Sequence, residues 1–242
     1  MQDSITASAE AIAQLPELQG VGNRTLPEQV HDALEEAIIT GVLLPATRLQ
    51  ADDIAERYGM SRIPVREALR SLHEAGWVEI RPRYGVYVRE RSLSELRQLF
   101  EARSAIEGQI ARLAAERRTE TDIAIMRDLL VQRKQAMQAG QIDELTRTSL
   151  ALRATLRSAA QNDLLSTIAA NLQKRARFYF EAIAGQYGTA WLRMDSQLVD
   201  LVVAGDPDGA ERLAREHILE TGAEAAQLFI AAEDAEAAAV NA

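Results

Sequence analysis

Apolar residues recur at helical spacing from Leu26 to Ile39, at Leu26, Val30, Ala33, Leu34, Ala37 and Ile38. That spacing predicts a helix with one buried face. Gly41 and Pro45 end it. Residues 51–58 predict a short second helix with Ile54 and Ala55 inward. Gly59-Met60 reads as a tight turn, and Ser61 as the N-cap of a third helix from Arg62 to about Ala75. Pro64 falls in its first turn, where a missing N–H does little harm. Val65, Leu69 and Leu72 form its inner face, and Gly76 stops it. Trp77 to Arg81 alternates like a strand, Pro82-Arg83-Tyr84-Gly85 is a turn, and Val86-Tyr87-Val88 is the return strand. Helix, helix, turn, helix, hairpin is the order of a winged helix-turn-helix, an architecture commonly used to read DNA.

Past Arg91-Ser92 every periodic stretch is helical, with helices near 93–117, 120–139, 142–160, 163–185, 189–204 and 207–233. Gly140, Gly185, Gly188 and Gly205-Asp206-Pro207 punctuate them. The fold class expected is therefore mainly α. Residues 1–24 read as a flexible arm or short extra helix, and 25–91 as the winged domain with its three helices and β-hairpin wing. Residues 92–234 read as an all-α bundle of six or seven helices, and the Ala-rich 235–242 as a frayed tail.

Charge changes this picture. The 242 residues carry a formal net charge of −9, which argues against a nonspecific nucleic-acid coat. The distribution is uneven. Residues 25–56 hold Arg48 against seven carboxylates, a net −6, whereas 57–91 hold eight arginines against four glutamates, a net +4. A positive patch on a negative chain is the footprint expected for a polyanion; a solvated arginine-rich helix face gives the same count. There are no cysteines, which excludes disulfides, thiolate metal sites and a cysteine nucleophile. No run of about 18 apolar residues predicts a membrane span, and the polar N-terminus lacks a signal pattern. A cytoplasmic location is expected.

Arg62, Arg66 and Arg70 recur every four residues and so form one row opposite the apolar face. A guanidinium fork can bond guanine O6 and N7 together. Residues near the helix start lie closest to base edges, which favours Arg62 and Arg66 for bases or adjacent phosphates. Arg70, deeper along the helix, suits a phosphate or an acidic neighbour. Arg48 is a further candidate contact. Arg83 and Tyr84 sit at the wing tip, where arginine suits a minor groove, and Gly85 permits close backbone approach. A plain exposed turn residue is the alternative for Arg83.

In the helical part, ionisable residues interrupt apolar stripes. Arg103 lies within Leu96-Leu99-Ile106-Ile110, and Asp195 within Trp191-Leu198-Val202. His217 lies within Ala210-Leu213-Thr221, while Arg153 sits one turn from Ser149, itself on the Leu145-Leu152-Leu156 stripe. An inward charge must be paired, hydrated or bound to a ligand. Each residue singly suits a structural ion pair; the set suggests a polar pocket in the bundle. Phe178, Tyr179, Phe180, Tyr187, Trp191 and Met194 read as core or as an aromatic pocket wall. His31 and His73 show no partner pattern.

Two stretches carry a family resemblance. Leu49 to Arg70, with its Ser61-Arg62-Ile63-Pro64-Val65-Arg66-Glu67-Ala68-Leu69 core, then Ala75-Gly76-Trp77-Val78 and the wing Arg81 to Val88, resemble the N-terminal domain of the GntR family of bacterial transcription regulators. Leu99 to Glu107, Ala159-Ala160-Gln161-Asn162 and Ala204-Gly205-Asp206 through His217 resemble the FCD effector domain of its FadR branch. The match covers roughly residues 25–233. It implies DNA contacts from Arg62, Ile63, Arg66 and Gly85, and a short palindrome with GT and AC elements. Ile63 stands where threonine is usual, and Asp52 where some members carry a DNA-contacting arginine. The resemblance also implies an all-helical domain that binds small metabolites, often carboxylates, and in many members a divalent metal on one aspartate and three histidines. Those positions here read Ser149, Arg153, Asp195 and His217. One histidine and one carboxylate are too few for a typical transition-metal site. No metal cofactor is expected; Arg153 would supply the positive charge, pairing Asp195 or a ligand carboxylate. Arg103 and Arg153 against Asp195 leave the pocket about one unit positive, unless Glu107 cancels this.

The expected protein is a ligand-responsive DNA-binding regulator, a repressor and homodimer, with a palindromic duplex and a small anionic effector as partners. The alternative is a regulator whose pocket is closed by an internal Arg–Asp pair. No glycine-rich phosphate loop or serine-nucleophile elbow supports an enzyme. An architectural DNA binder is disfavoured by the compact recognition helix and the acidity.

Overall fold

Thr25 begins the first helix, where its N–H donates to the Glu28 carboxylate at 2.8 Å. These bonds hold the exposed Glu28 carboxyl below its ordinary range. The computed structural model describes residues 10–18, 24–181 and 191–240. The side chains of 181, 191–195, 233–234 and 236–240 lie outside the description. The chain divides into two compact units between Ser92 and Leu93, and a short segment from Arg177 belongs with the first.

In the first unit α1 (Leu26–Ile39), α2 (Ala51–Arg57) and α3 (Arg62–Glu74) surround one core. Val30, Leu34 and Ile38 of α1, Ile54 of α2, and Val65, Leu69 and Leu72 of α3 are buried in it. The turn before α3 uses Gly59 at φ +62, a left-handed conformation that glycine adopts without strain. The expected hairpin forms the wing, and a third short strand joins it. β1 (Arg48–Leu49), β2 (Val78–Arg81) and β3 (Gly85–Val88) run antiparallel in the order β1-β3-β2. Arg48 faces Tyr87 and Arg81 faces Gly85 in the register. A two-residue strand is too short to show a period, so its pairing is decided by β3.

Of the two readings of the N-terminal arm, the described part of it takes the short helix. Residues 10–13 form a helical turn, and Ile12 and Leu15 are buried. Arg57 donates to the Leu15 carbonyl at 2.8 Å, and the Tyr58 hydroxyl donates to the Pro16 carbonyl at 3.0 Å. Two buried apolar side chains and two hydrogen bonds fasten this stretch to the first unit.

The second unit holds six helices among the described residues: α4 (Leu93–Arg117), α5 (Glu120–Ala139), α6 (Ile142–Ala159), α7 (Asp163–Glu181), α8 (Trp191–Ala204) and α9 (Pro207–Val240). Thr119 starts α5 with a capping box on Asp122, and Gly140 ends it at φ +67. Ile110, Ala114, Met126, Leu152, Leu156, Val199, Val202 and Ala214 share the core. The α4–α9 pair packs most closely: a Cβ on Gly222 would lie 2.6 Å from Phe100 Cβ.

One helix boundary changes. α9 continues to Val240 instead of ending at 233 in a frayed tail, because an alanine-rich stretch without glycine or proline favours helix. α7 is described as far as Glu181; the remainder expected to 185, and the start of α8 expected at 189, lie outside the described residues. The aromatic cluster also divides. Phe178 and Tyr179 belong with the first unit, where Phe178 meets Trp77 edge-on at 5.9 Å. Arg91 donates to the Phe178 carbonyl at 2.8 Å. Tyr187, Trp191 and Met194 lie outside the described side chains.

Candidate nucleic-acid interface and effector site

The third helix presents Arg62, Ile63, Arg66 and Arg70 to solvent, with Ile63 69% exposed. Amphipathic spacing explains this, since Val65, Ala68, Leu69 and Leu72 occupy the opposite face. A groove of about 620 Å³ runs beside the helix, lined among others by Arg48, Arg66, Arg70, His73 and Gly85. The structure thus brings together Arg48, Arg66, Arg70 and Gly85. A Cβ on Gly85, at φ +119, would lie 3.1 Å from Arg48 Nε. Glycine therefore lets the Arg48 side chain lie against the wing. Tyr84 is 69% exposed at the tip. Arg83 adopts φ +69 there, and the Tyr84 N–H donates to the Arg81 carbonyl at 3.0 Å across the turn.

The eight arginines of the basic segment are not eight free cations. Arg57 pairs with Glu17 at 3.0 Å, Arg62 with Asp52 at 2.8 Å and Arg70 with Glu74 at 3.3 Å. Arg81 pairs with Glu79 and Glu90 and lies over the Tyr87 ring. Arg48, Arg66 and Arg83 have no carboxylate partner among the described residues. The Asp52–Arg62 pair was missed from sequence because its members come from different helices. His31 and His73 do have neighbours: His31 lies 3.9 Å from Glu35, and His73 Nδ1 lies 3.1 Å from the Val78 carbonyl.

In the second unit Arg103 is only 3% exposed. Its Nη2 lies 3.4 Å from Glu107 Oε1, and its guanidinium carbon 5.1 Å from the Phe100 ring centre. Arg157 donates to Gln173 Oε1 at 2.7 Å. Its pKa is lowered by burial, with the Glu107 charge opposing and Arg153 adding to the fall. Glu107 therefore acts on both Arg103 and Arg157, and Arg153 acts on Arg157. Ser149 and His217 are buried on α6 and α9, and Arg133 is buried on α5. The side chain of Asp195 lies outside the described residues. Arg133 and Arg157 were missed from sequence, although Met126, Leu129, Arg133 and Ala136 form a stripe that placed Arg133 inward. A serine hydroxyl and a guanidinium at two of the four positions do not fit a transition metal. Among the described residues, the metal-competent group is His31, Asp32 and Glu35 on α1. There Arg24 pairs with Asp32, and the Trp77 indole N–H donates to Glu35 at 2.9 Å.

The first unit is a winged helix-turn-helix with an arginine-bearing recognition helix, and the second an all-helical domain with buried charge. The family model for bacterial regulatory proteins of the gntR family matches residues 26–88, and that for the FCD domain matches 98–220. The chain belongs to the GntR family, in its FCD-bearing form. It is 35% identical over 124 residues to the HTH-type transcriptional repressor RspR of Escherichia coli (strain K12), covering 50% of this chain and 54% of that protein. It is 33% identical over 144 residues to the HTH-type transcriptional regulator LutR of Bacillus subtilis (strain 168), covering 53% and 65%. The chain spans about half the length of the curated relatives it matches. Among solved structures, E. coli McbR/YncC superposes with a TM-score of 0.71 at 24% identity, over 86% of this chain and 100% of that one. That likeness shows the fold. No helix among the described residues is long and apolar enough to cross a membrane.

Proposed function

We propose that the protein is a sequence-specific DNA-binding transcriptional repressor, acting as a homodimer on a short palindrome and released by a small anionic metabolite. A palindrome demands a two-fold protein. The observation that carries the effector reading is the interior of the helical unit. Arg103 is buried beside Glu107, and Arg157 is half-buried under the influence of both Glu107 and Arg153. A cationic interior favours a carboxylate, which arginine binds bidentately without a metal. Ser149 and His217, both buried, would add hydrogen bonds. A ligand that reorganised Arg157, bonded to Gln173, would bias a two-state equilibrium of the helical unit.

Thermal-shift measurements with a panel of small carboxylic acids, on wild type and Arg153→Ala, test this. A binder raises Tm in wild type, and Arg153→Ala weakens it at least tenfold. Unchanged affinity in the variant would remove Arg153 from the site. The Arg103–Glu107 pair favours a second reading, a regulator whose interior is self-compensated and senses nothing; no shift with any acid supports that one.

A further inference from the structure

Arg62 and Asp52 form an unusual pair for their position. Arg62 opens α3, where side chains come closest to base edges. Asp52 lies in the first turn of α2, so the pair joins two different helices. Both side chains are open to solvent, Arg62 at 62% and Asp52 at 59%. The contact is made through Nε, 2.8 Å from Asp52 Oδ1. The contact is an ion pair rather than an aligned hydrogen bond, and a guanidinium approached at Nε keeps its Nη1 and Nη2 protons for another partner. Those two protons match the O6 and N7 acceptors of guanine. Arg66 differs: it sits one turn on, in the groove, with no carboxylate partner among the described residues.

We infer that Asp52 is a specificity-determining residue, fixing Arg62 so that its outer edge reads guanine while the untethered Arg66 anchors the backbone. This rests on the DNA-reading role of the first unit and goes beyond it by dividing the two arginines. The tether contributes little to folding, because exposed ion pairs are worth little. Its effect falls on recognition in two ways. It removes side-chain freedom that Arg62 would otherwise lose on binding. It also sets a carboxylate beside the duplex, which repels phosphate and lowers affinity for every sequence alike. The first raises the ratio of specific to nonspecific binding, and the second lowers both together.

The test uses the full-length protein and a randomised 20-base-pair duplex library. A duplex selected by wild type is then varied one base pair at a time. Arg62→Ala identifies the guanine it reads, as the position where discrimination disappears. Wild type is expected to prefer that guanine about tenfold or more. Asp52→Ala and Asp52→Asn are expected to cut the preference at that position to twofold or threefold and leave other positions unchanged. Both variants should bind scrambled duplex severalfold more tightly, with Tm within about a degree of wild type. Asp52→Glu should keep part of the preference. In the Arg62→Ala background, Asp52→Ala should change no base preference. Retained discrimination at the Arg62 position in Asp52→Ala, or equal loss at every position, overturns the inference. Wild type selecting no sequence from the library would instead overturn the DNA-reading role itself, so the two failures are distinguishable.

Discussion

At the scale of single residues, the wing tip keeps an arginine where the backbone disfavours one. Arg83 holds φ +69 in the turn after Pro82, a position that glycine or asparagine fills more easily. The left-handed conformation costs a side-chain-bearing residue about 1–2 kcal/mol. Tyr87 stabilises the tip by donating its hydroxyl to the Tyr84 carbonyl at 3.2 Å. Arg83→Asn is therefore expected to raise stability by about 0.5–1 kcal/mol in thermal denaturation, while weakening operator binding severalfold in a titration. A gain in both would show that Arg83 makes no DNA contact. Tyr58 supplies a second check at this scale. Burial pushes its phenol from 10.0 up to about 12, with Arg57 opposing and Glu17 adding to the rise. The folded state thus holds the proton to higher pH than the unfolded chain. Its contribution is complete below about pH 10 and is lost as pH rises towards 12. Tyr58→Phe should flatten that part of the alkaline stability curve. The exposed arginine row was legible from spacing alone, because i and i+4 share a helix face. The docking of Arg57 and Tyr58 against Leu15 and Pro16 was not, because no periodicity links residues some forty positions apart.

At the scale of elements, helix type was readable throughout and helix ends were less so. Capping residues such as Thr119 and Gly140 announce a boundary, whereas the alanine-rich end of α9 offers no stop. The sequence also assigned Phe178 and Tyr179 to the helical domain, yet the last turn of α7 packs in the first unit against Trp77 and Arg91. Nothing in a helical stripe says which core will receive it. The α4–α9 crossing gives a prediction of its own. Gly222 has no room for a methyl group, since a Cβ there would lie 2.6 Å from Phe100. Gly222→Ala is expected to destabilise by about 1–3 kcal/mol through overpacking, despite the better helix propensity of alanine. Adding Phe100→Gly, which removes the Cβ as well as the ring, should cost less in this background than in wild type, because the clash is relieved. Equal costs in the two backgrounds would show that the helices had shifted apart to admit the methyl group.

At the scale of the whole molecule, the net charge of −9 conceals a positive reading surface. The structure narrows that surface further. Several cations of the basic segment are matched by neighbouring carboxylates, whereas Arg66 and Arg83 within it and Arg48 before it have no carboxylate partner among the described residues and can meet phosphate. Acidity elsewhere restricts docking to that surface. Binding measured against salt tests this directly. Arg66→Ala should weaken specific and nonspecific duplexes alike and lower the slope of log K against log salt by about 0.9. An unchanged slope would place Arg66 on a base edge rather than on the backbone.

By itself the sequence determined the two architectures, the exposed face of the recognition helix and the inward charges of the bundle. These follow from local spacing, and local spacing is what a helix or strand converts into a face. Tertiary structure alone decided which charges find partners. It joined Asp52 to Arg62, brought Arg157 within the influence of Glu107 and Arg153, and seated the end of α7 beside Trp77. The reason is physical: ion pairing and packing depend on distance in space, and residues far apart along the chain meet only when the core has fixed where each helix lies.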